Sequence, residues 1–179
     1  MTHDLSADAE RFVLLDRRTD HPDAARLLQA FYDEQVDRYG FADPVDLDPH
    51  AYTPPNGTFL VAYARGWPVG CCGCHWYDRG TGTVEIKKAY LVPSVRGRGL
   101  GRALLARLEA WATVAGARRV ILETGVRNIA ALTLFAGSGY EPTARYVADR
   151  DPRINRAFEK LLTPVSQPPA EDPAQASVR

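Results

Sequence analysis

The run Arg96-Gly97-Arg98-Gly99-Leu100-Gly101 constrains this chain more than any other stretch. It follows an apolar, strand-like run, Ala89-Tyr90-Leu91-Val92, and then Pro93. It opens a segment with helical spacing, Leu100, Leu104, Leu105, Leu108 and Trp111. A strand, a cluster of glycines and a helix start in succession make an arrangement that can bind phosphate. Unpaired backbone N–H groups and the positive end of the helix dipole point at one spot. Glycine has no Cβ, so a ligand can approach the backbone closely, and Arg96, Arg98 and Arg102 add positive charge. A dinucleotide fold would place G-x-G-x-x-G after the first strand, with an acidic residue about 20 positions on. Here the glycines follow the fourth expected strand and read G-x-G-x-G. A P-loop would end Gly-Lys-Ser/Thr, whereas this loop ends Gly101-Arg102-Ala103. What remains is another phosphate-bearing ligand or a purely structural turn. The turn alone fits less well, because three arginines packed around it repel each other without an anion.

Hydrophobic periodicity places the other elements around this loop. Residues 11–16 form a short β run. A helix starts near Asp20-His21-Pro22, with Asp20 as N-cap and Pro22 in the first turn. It carries Ala25, Leu28, Ala30, Phe31 and Val36 and fades at Tyr39-Gly40. Residues 41–57 are rich in Asp and Pro and read as a loop with room for one helical turn. Three strands follow, at 58–64, 68–77 and 83–92, joined by turns at Arg65-Gly66 and 78–82; connections this short favour an antiparallel meander. The helix after the glycine loop stops at Gly116. The strand at 119–124 completes a βαβ crossover and is therefore expected parallel to the strand before the glycines. A second helix at 128–135 ends at Gly137-Ser138-Gly139. Two last β segments are expected at 140–146 and 156–162. The resulting fold class is α/β (α+β): a mixed, mostly antiparallel sheet of six to seven strands with helices on its faces.

The 179 residues are 45% hydrophobic and 25% charged, which suits one globular domain at 11–162. Residues 1–10 read as a frayed N-terminus. The Pro-rich stretch 163–179 lacks the apolar content to order itself. Twenty-two basic side chains balance 22 acidic ones, and a nucleic-acid binder would usually carry a basic excess. No apolar run approaches the length of a membrane span, and the polar start has no h-region of a secretory signal. These features point to the cytoplasm, without nucleic acid or membrane as partner, and leave a homodimer open. Cys71, Cys72 and Cys74 lie within four residues. A metal site would need a second ligand pair, so they read as small residues of a buried strand and no metal is expected.

From the loop outwards, the chain resembles the GNAT superfamily of acyl-CoA-dependent N-acetyltransferases. Arg96, Gly99 and Gly101 match that family's Gln/Arg-x-x-Gly-x-Gly/Ala loop. Glu85-Ile86-Lys87-Lys88-Ala89-Tyr90-Leu91-Val92-Pro93 is similar to its fourth strand, E-I-K-R-hydrophobic-Y-V-x-P. The run from Leu122-Glu123-Thr124-Gly125 through Asn128, Ala131, Leu132, Leu134 and Phe135 to Gly139-Tyr140 is similar to L-E-T-G-x-x-N-x-x-A-L-x-L-Y-x-x-x-G-F/Y. The likeness covers residues 58–162, with several motifs in order.

The resemblance implies acetyl-CoA as cosubstrate, an amine acceptor and direct attack through a tetrahedral intermediate. By position, the amides of Gly97, Arg98, Gly99, Leu100, Gly101 and Arg102 would hold the pyrophosphate, with Arg96 at the entrance. The backbone of Ala89, Tyr90 and Leu91 would hold the pantetheine arm and the thioester carbonyl. Asn128 would lie near the pantetheine; it also reads as a plain N-cap, and both can hold. An attacking amine must lose a proton. Glu85 is the first candidate base, and strict alternation would put it on one strand face with Lys87, Ala89 and Leu91. Glu123 is the second, although a structural carboxylate at a strand end explains it as well. Many relatives carry a Tyr acid seven residues after the Asn, against the coenzyme sulfur. Here Phe135 stands there and cannot donate, leaving Tyr140, Tyr146, water or unassisted departure of the thiolate. The alternative is a GNAT-like domain that binds acyl-CoA as a sensor without turnover. The acidic run Asp33, Glu34, Asp37, Asp43, Asp46 and Asp48 near the expected acceptor site reads either as recognition of a cationic amine or as a solvated face.

Overall fold

The computed structural model describes residues 12–163, apart from Asp46 and Asp149. The expected frayed start and the Pro-rich tail beyond Thr163 lie outside the described residues. One seven-stranded sheet has the order β1-β2-β3-β4-β5-β7-β6. Its strands are β1 (Phe12–Asp16), β2 (Gly57–Ala64), β3 (Trp67–Asp78), β4 (Thr83–Leu91), β5 (Arg119–Gly125), β6 (Glu141–Pro142) and β7 (Asn155–Leu161). Every pairing is antiparallel except β4 with β5, which is parallel, as the crossover requires. The helices are α1 (Pro22–Tyr39), α2 (Leu100–Val114) and α3 (Ile129–Ala136).

Alternation along the strands builds a core on each face of the sheet. Leu60, Ala62, Cys72, Cys74, Val84, Ile86, Val120 and Leu122 face α2, which answers with Leu100, Leu104, Leu105, Leu108 and Ala112. These helical positions fall on one stripe at 3.6-residue spacing. Phe59, Val61, Cys71 and Tyr90 face the other way, onto Ala24, Leu27 and Leu28 of α1. The three cysteines are free and buried, as a packed strand requires.

Three sequence expectations need correction. His21, not Asp20, caps α1: its Nδ1 accepts the Asp23 N–H at 3.2 Å, and Asp20 instead pairs with Arg18 at 2.8 Å. The strand expected over 140–146 shrinks to Glu141–Pro142, because Pro142 removes a ladder donor. The third concerns β4. Cys71 stands opposite Tyr90 but Gly73 opposite Lys87, so β4 carries one extra residue there, a β-bulge. Lys88 sits at φ 56° within it. The bulge resets the alternation. Ala89 and Leu91 join the α2 face with Val84 and Ile86, while Tyr90 turns to the α1 face. Glu85 therefore does not share a face with Ala89 and Leu91.

The same region opens the sheet. The β4–β5 ladder runs from Thr83↔Arg119 only to Ile86↔Leu122. Past that pair β4 continues to Leu91 and β5 to Gly125 without bonding each other. The gap between them is where two cavities meet.

Candidate active site

The first cavity, about 490 Å³, is built on the glycine loop. Gly99 is the N-cap of α2 at φ 83°, and Gly97 stands at φ 76°. At neither would a Cβ touch anything within 4 Å, so these glycines serve the left-handed backbone of the loop rather than close packing. Gly101 has a different reason: a Cβ there would stand 2.9 Å from Leu134 Cδ2, so it lets α3 approach α2. Ala89, Tyr90, Leu91, Arg96, Gly97, Gly99, Gly101, Arg102, Asn128 and Phe135 all line this cavity. Leu100 is buried beneath it, and Arg98 is exposed on the loop. Arg96 is fixed in place. Its Nε donates to the Leu91 carbonyl at 2.9 Å, and its guanidinium pairs with Glu34 of α1. Sequence reading counted Arg96 as loop charge and missed this tether, because Glu34 lies 62 residues away.

The second cavity, about 510 Å³, lies on the α1 side of β4. Both carboxylate candidates line it, as do His75, Lys87, Lys88 and Arg150. Glu85 is only 4% exposed. Its Oε1 accepts the Tyr146 hydroxyl at 3.0 Å, and its Oε2 lies 3.2 Å from His75 Nε2 and 3.5 Å from Lys87 Nζ. Burial opposes the charge, but the His75 hydrogen bond, Lys87 and Tyr146 outweigh it and hold the carboxyl below its usual range. Glu123 behaves in the opposite way. Burial raises its carboxyl above the usual range, against the pull of Arg150, whose Nε lies 3.6 Å from Oε2. Arg150 also pairs with Asp43, and Glu123 Oε1 is buried with no hydrogen-bond partner among the described residues.

Phe31, Ala89, Asn128, Ala131 and Phe135 line both cavities, so the two spaces meet at the β4 bulge and the start of α3. Asn128 is the N-cap of α3, its Oδ1 accepting the Ala131 N–H at 3.2 Å, and it also lines the junction. Tyr140 lines neither cavity. Its hydroxyl donates to Glu109 Oε1 of α2 at 2.9 Å, and its ring packs on Phe135 with centroids 5.8 Å apart. Burial and the Glu109 carboxylate raise its hydroxyl far above the ordinary value. That position does not suit a proton donor for the junction. Of the acidic run, only Asp43 lines the second cavity, where Arg150 takes its charge; Glu34 lines the first, and Asp46 lies outside the described residues. Sequence reading missed His75 and Arg150. His75 was legible only as the end of the cysteine run.

A glycine loop at a helix start on one side of a splayed sheet and a buried carboxylate on the other agree with three comparisons. The family model for the GNAT acetyltransferases matches residues 22–140. An IAA acetyltransferase of Azospirillum brasilense is 36% identical over 124 residues, 66% of this chain and 76% of that protein. Aminoglycoside N(6')-acetyltransferase type 1 of Stenotrophomonas maltophilia is 34% identical over 117 residues, 62% of this chain and 76% of that one. A solved Klebsiella pneumoniae protein, assigned as an acyl-CoA N-acyltransferase, superposes with a TM-score of 0.72 at 26% identity, covering 86% of this chain and 99% of its own. With the family model spanning most of the described sheet and its helices, this chain belongs to the GNAT acetyltransferase family.

Proposed function

We propose that the protein is an N-acetyltransferase that moves the acetyl group of acetyl-CoA onto a primary amine of a small molecule or protein. The observation that carries this reading is the junction of two cavities at Ala89, Asn128 and Phe135. The residues present fit the donor. The loop at Gly97 and Gly99 has open space where side chains would stand, and β4 past Ile86 has a backbone edge that β5 does not use. Loop amides would hold the pyrophosphate and that edge the amide-bearing arm. Bound acetyl-CoA supplies an activated acyl group, and the chain supplies position and proton transfer. Glu85 would take the proton of the amine.

Direct transfer is favoured over a covalent acyl-enzyme. Cys71 and Cys72 line the donor cavity, but both thiols are buried; desolvation pushes Cys72 up to about 12 and Cys71 well above its ordinary value. Neither is a ready nucleophile. Phe135 at the junction cannot protonate the leaving thiolate, whose ordinary pKa of about 8.5 lets it depart unassisted. The acceptor cavity combines aromatic walls (Phe31, Tyr32, Tyr39, Phe41, Tyr52) with carboxylates matched by Lys87, Lys88 and Arg150. That lining suits an amine with a flat apolar body better than a polycation.

Release of coenzyme A thiol from acetyl-CoA, measured against a broad panel of amines, tests the proposal. At least one amine should give turnover, and Glu85→Gln should reduce kcat by about 10²–10⁴-fold, the usual worth of a general base, without changing acetyl-CoA affinity. Tight acetyl-CoA binding with no release for any amine would overturn transfer and favour a sensor.

A further inference from the structure

Glu85 has an unassigned partner whose protonation its geometry dictates. His75 Nδ1 lies 3.1 Å from the Trp76 carbonyl oxygen. A carbonyl only accepts, so Nδ1 carries a hydrogen. His75 Nε2 lies 3.2 Å from Glu85 Oε2. Without a second proton, that contact would set a nitrogen lone pair against a carboxylate oxygen in a buried site, where such a mismatch is costly. One proton therefore belongs in the gap, whichever atom it is drawn on. The ring is braced by Tyr52, at 5.0 Å between centroids.

We propose that His75 and Glu85 hold one proton between them and that this pair, rather than Glu85 alone, takes the proton of the acceptor amine. The inference rests on the acyl-transfer reading. In the step, the pair first gives up its shared proton through the open side of the cavity; an N–H bond of the ammonium then breaks, its electrons stay on nitrogen, and that proton refills the gap between Nε2 and Oε2. The amine is left neutral and nucleophilic. Exposure gives the proton its way out: the Glu85 side chain is 5% exposed and that of His75 22%, and both line the acceptor cavity. A carboxylate held low by its neighbours is a weak acceptor on its own, and the imidazole beside it gives the proton a second site. The other groups facing the pair are Lys87 on its own strand, Cys74 beside His75, Tyr146 and Tyr52 from the loops, and Glu123 with its partners Arg150 and Asp43. All of these persist in a His75 variant.

His75→Gln keeps a hydrogen-bond donor for Glu85 but cannot take up a proton. It should preserve the melting temperature and acetyl-CoA affinity while moving the acid limb of the kcat/KM profile down by about one pH unit. A bracing role alone would lower the rate equally at every pH and leave the limb in place, which would overturn the proposal. A second measurement needs no turnover. Nitrogen-15 resonances of His75, recorded below the acid limb of the profile, should report hydrogens on both ring nitrogens, and Glu85→Gln should remove the one on Nε2. Unchanged resonances in Glu85→Gln would overturn the pair, whereas failure of every amine in the wild-type protein would count only against acyl transfer.

Discussion

The two cavities are built from different materials. The side proposed for the donor would rely on backbone: loop amides at 97–102, the free edge of β4 at 89–91 and the start of α3 at 128. Its key glycines hold left-handed conformations rather than clear space. The side proposed for the acceptor would rely on side chains gathered from α1, the loop after it, β3, β4, β5, α3 and the residues Val147, Arg150, Ile154 and Asn155. Backbone cradles recognise a feature common to many ligands, the phosphate, and need only a short local motif. Side-chain pockets recognise one ligand and can be rewritten position by position. Within one family, the first should stay readable and the second should not.

The largest effect that sharpens this contrast comes from Gly99→Glu. An L-residue at φ 83° costs about 1–2 kcal/mol. With nothing within 4 Å to hold the new side chain, the loop relaxes and its amides leave the anion. The added carboxylate also repels a pyrophosphate. Acetyl-CoA affinity should fall by more than about 10-fold, the equivalent of 1.4 kcal/mol, while the KM for the amine is unchanged. If calorimetry finds donor binding intact, the cradle is misplaced.

Arg150→Ala probes the other side. Arg150 links Asp43 of the α1–β2 loop to Glu123 of β5 across the acceptor cavity. Removing it leaves two carboxylates without their cation and lets the loop drift. Steady-state kinetics should show KM for the amine raised several-fold, on the order of 1 kcal/mol, with acetyl-CoA affinity unmoved. Glu123 already titrates above its usual range because of burial, and loss of Arg150 raises it further. The ionised form is then penalised in the folded protein, so stability should fall as pH rises through that folded value and recover below it. A variant that weakens acetyl-CoA instead of the amine would dissolve the division into two sides.

How much of this was visible in the sequence follows the same division. The order of strands and helices, the parallel β4–β5 pair and the loop all come from local signals: alternation, caps and glycines. Asn128 was legible as a cap from the helix start alone, whereas its place beside the donor came from the family resemblance and belongs to the proposed function. The β4 bulge was not legible, since Lys88 at φ 56° carries no Gly or Pro to announce it; strict alternation therefore assigned Ala89 and Leu91 to the wrong face. Tyr140 fell on the wrong side for a related reason. Its distance from Asn128 in sequence says nothing of Glu109, which claims its hydroxyl from α2. His75 and Arg150 become functional candidates only through partners at distant positions, and no spacing rule reaches that far.

The smallest expected effect lies where the two sides touch. Asn128 caps α3 and lines both cavities. In Asn128→Ala the Ala131 N–H loses its acceptor, a loss of about 1 kcal/mol for a helix N-cap. For a chain of this size that lowers the melting temperature by about 2–4 °C. α3 packs on α2 through Leu134 and Gly101, so the helix should stay docked and only its first turn should fray. Fraying there loosens the wall shared by donor and acceptor, so affinity for both should fall together, each by less than about 10-fold. Asn128→Asp separates the roles. Aspartate caps as well as asparagine and restores stability, but it brings a negative charge to the junction and offers no amide donor. If affinities recover along with stability, Asn128 acts on the site only by holding α3; if they do not, its side chain meets a ligand directly.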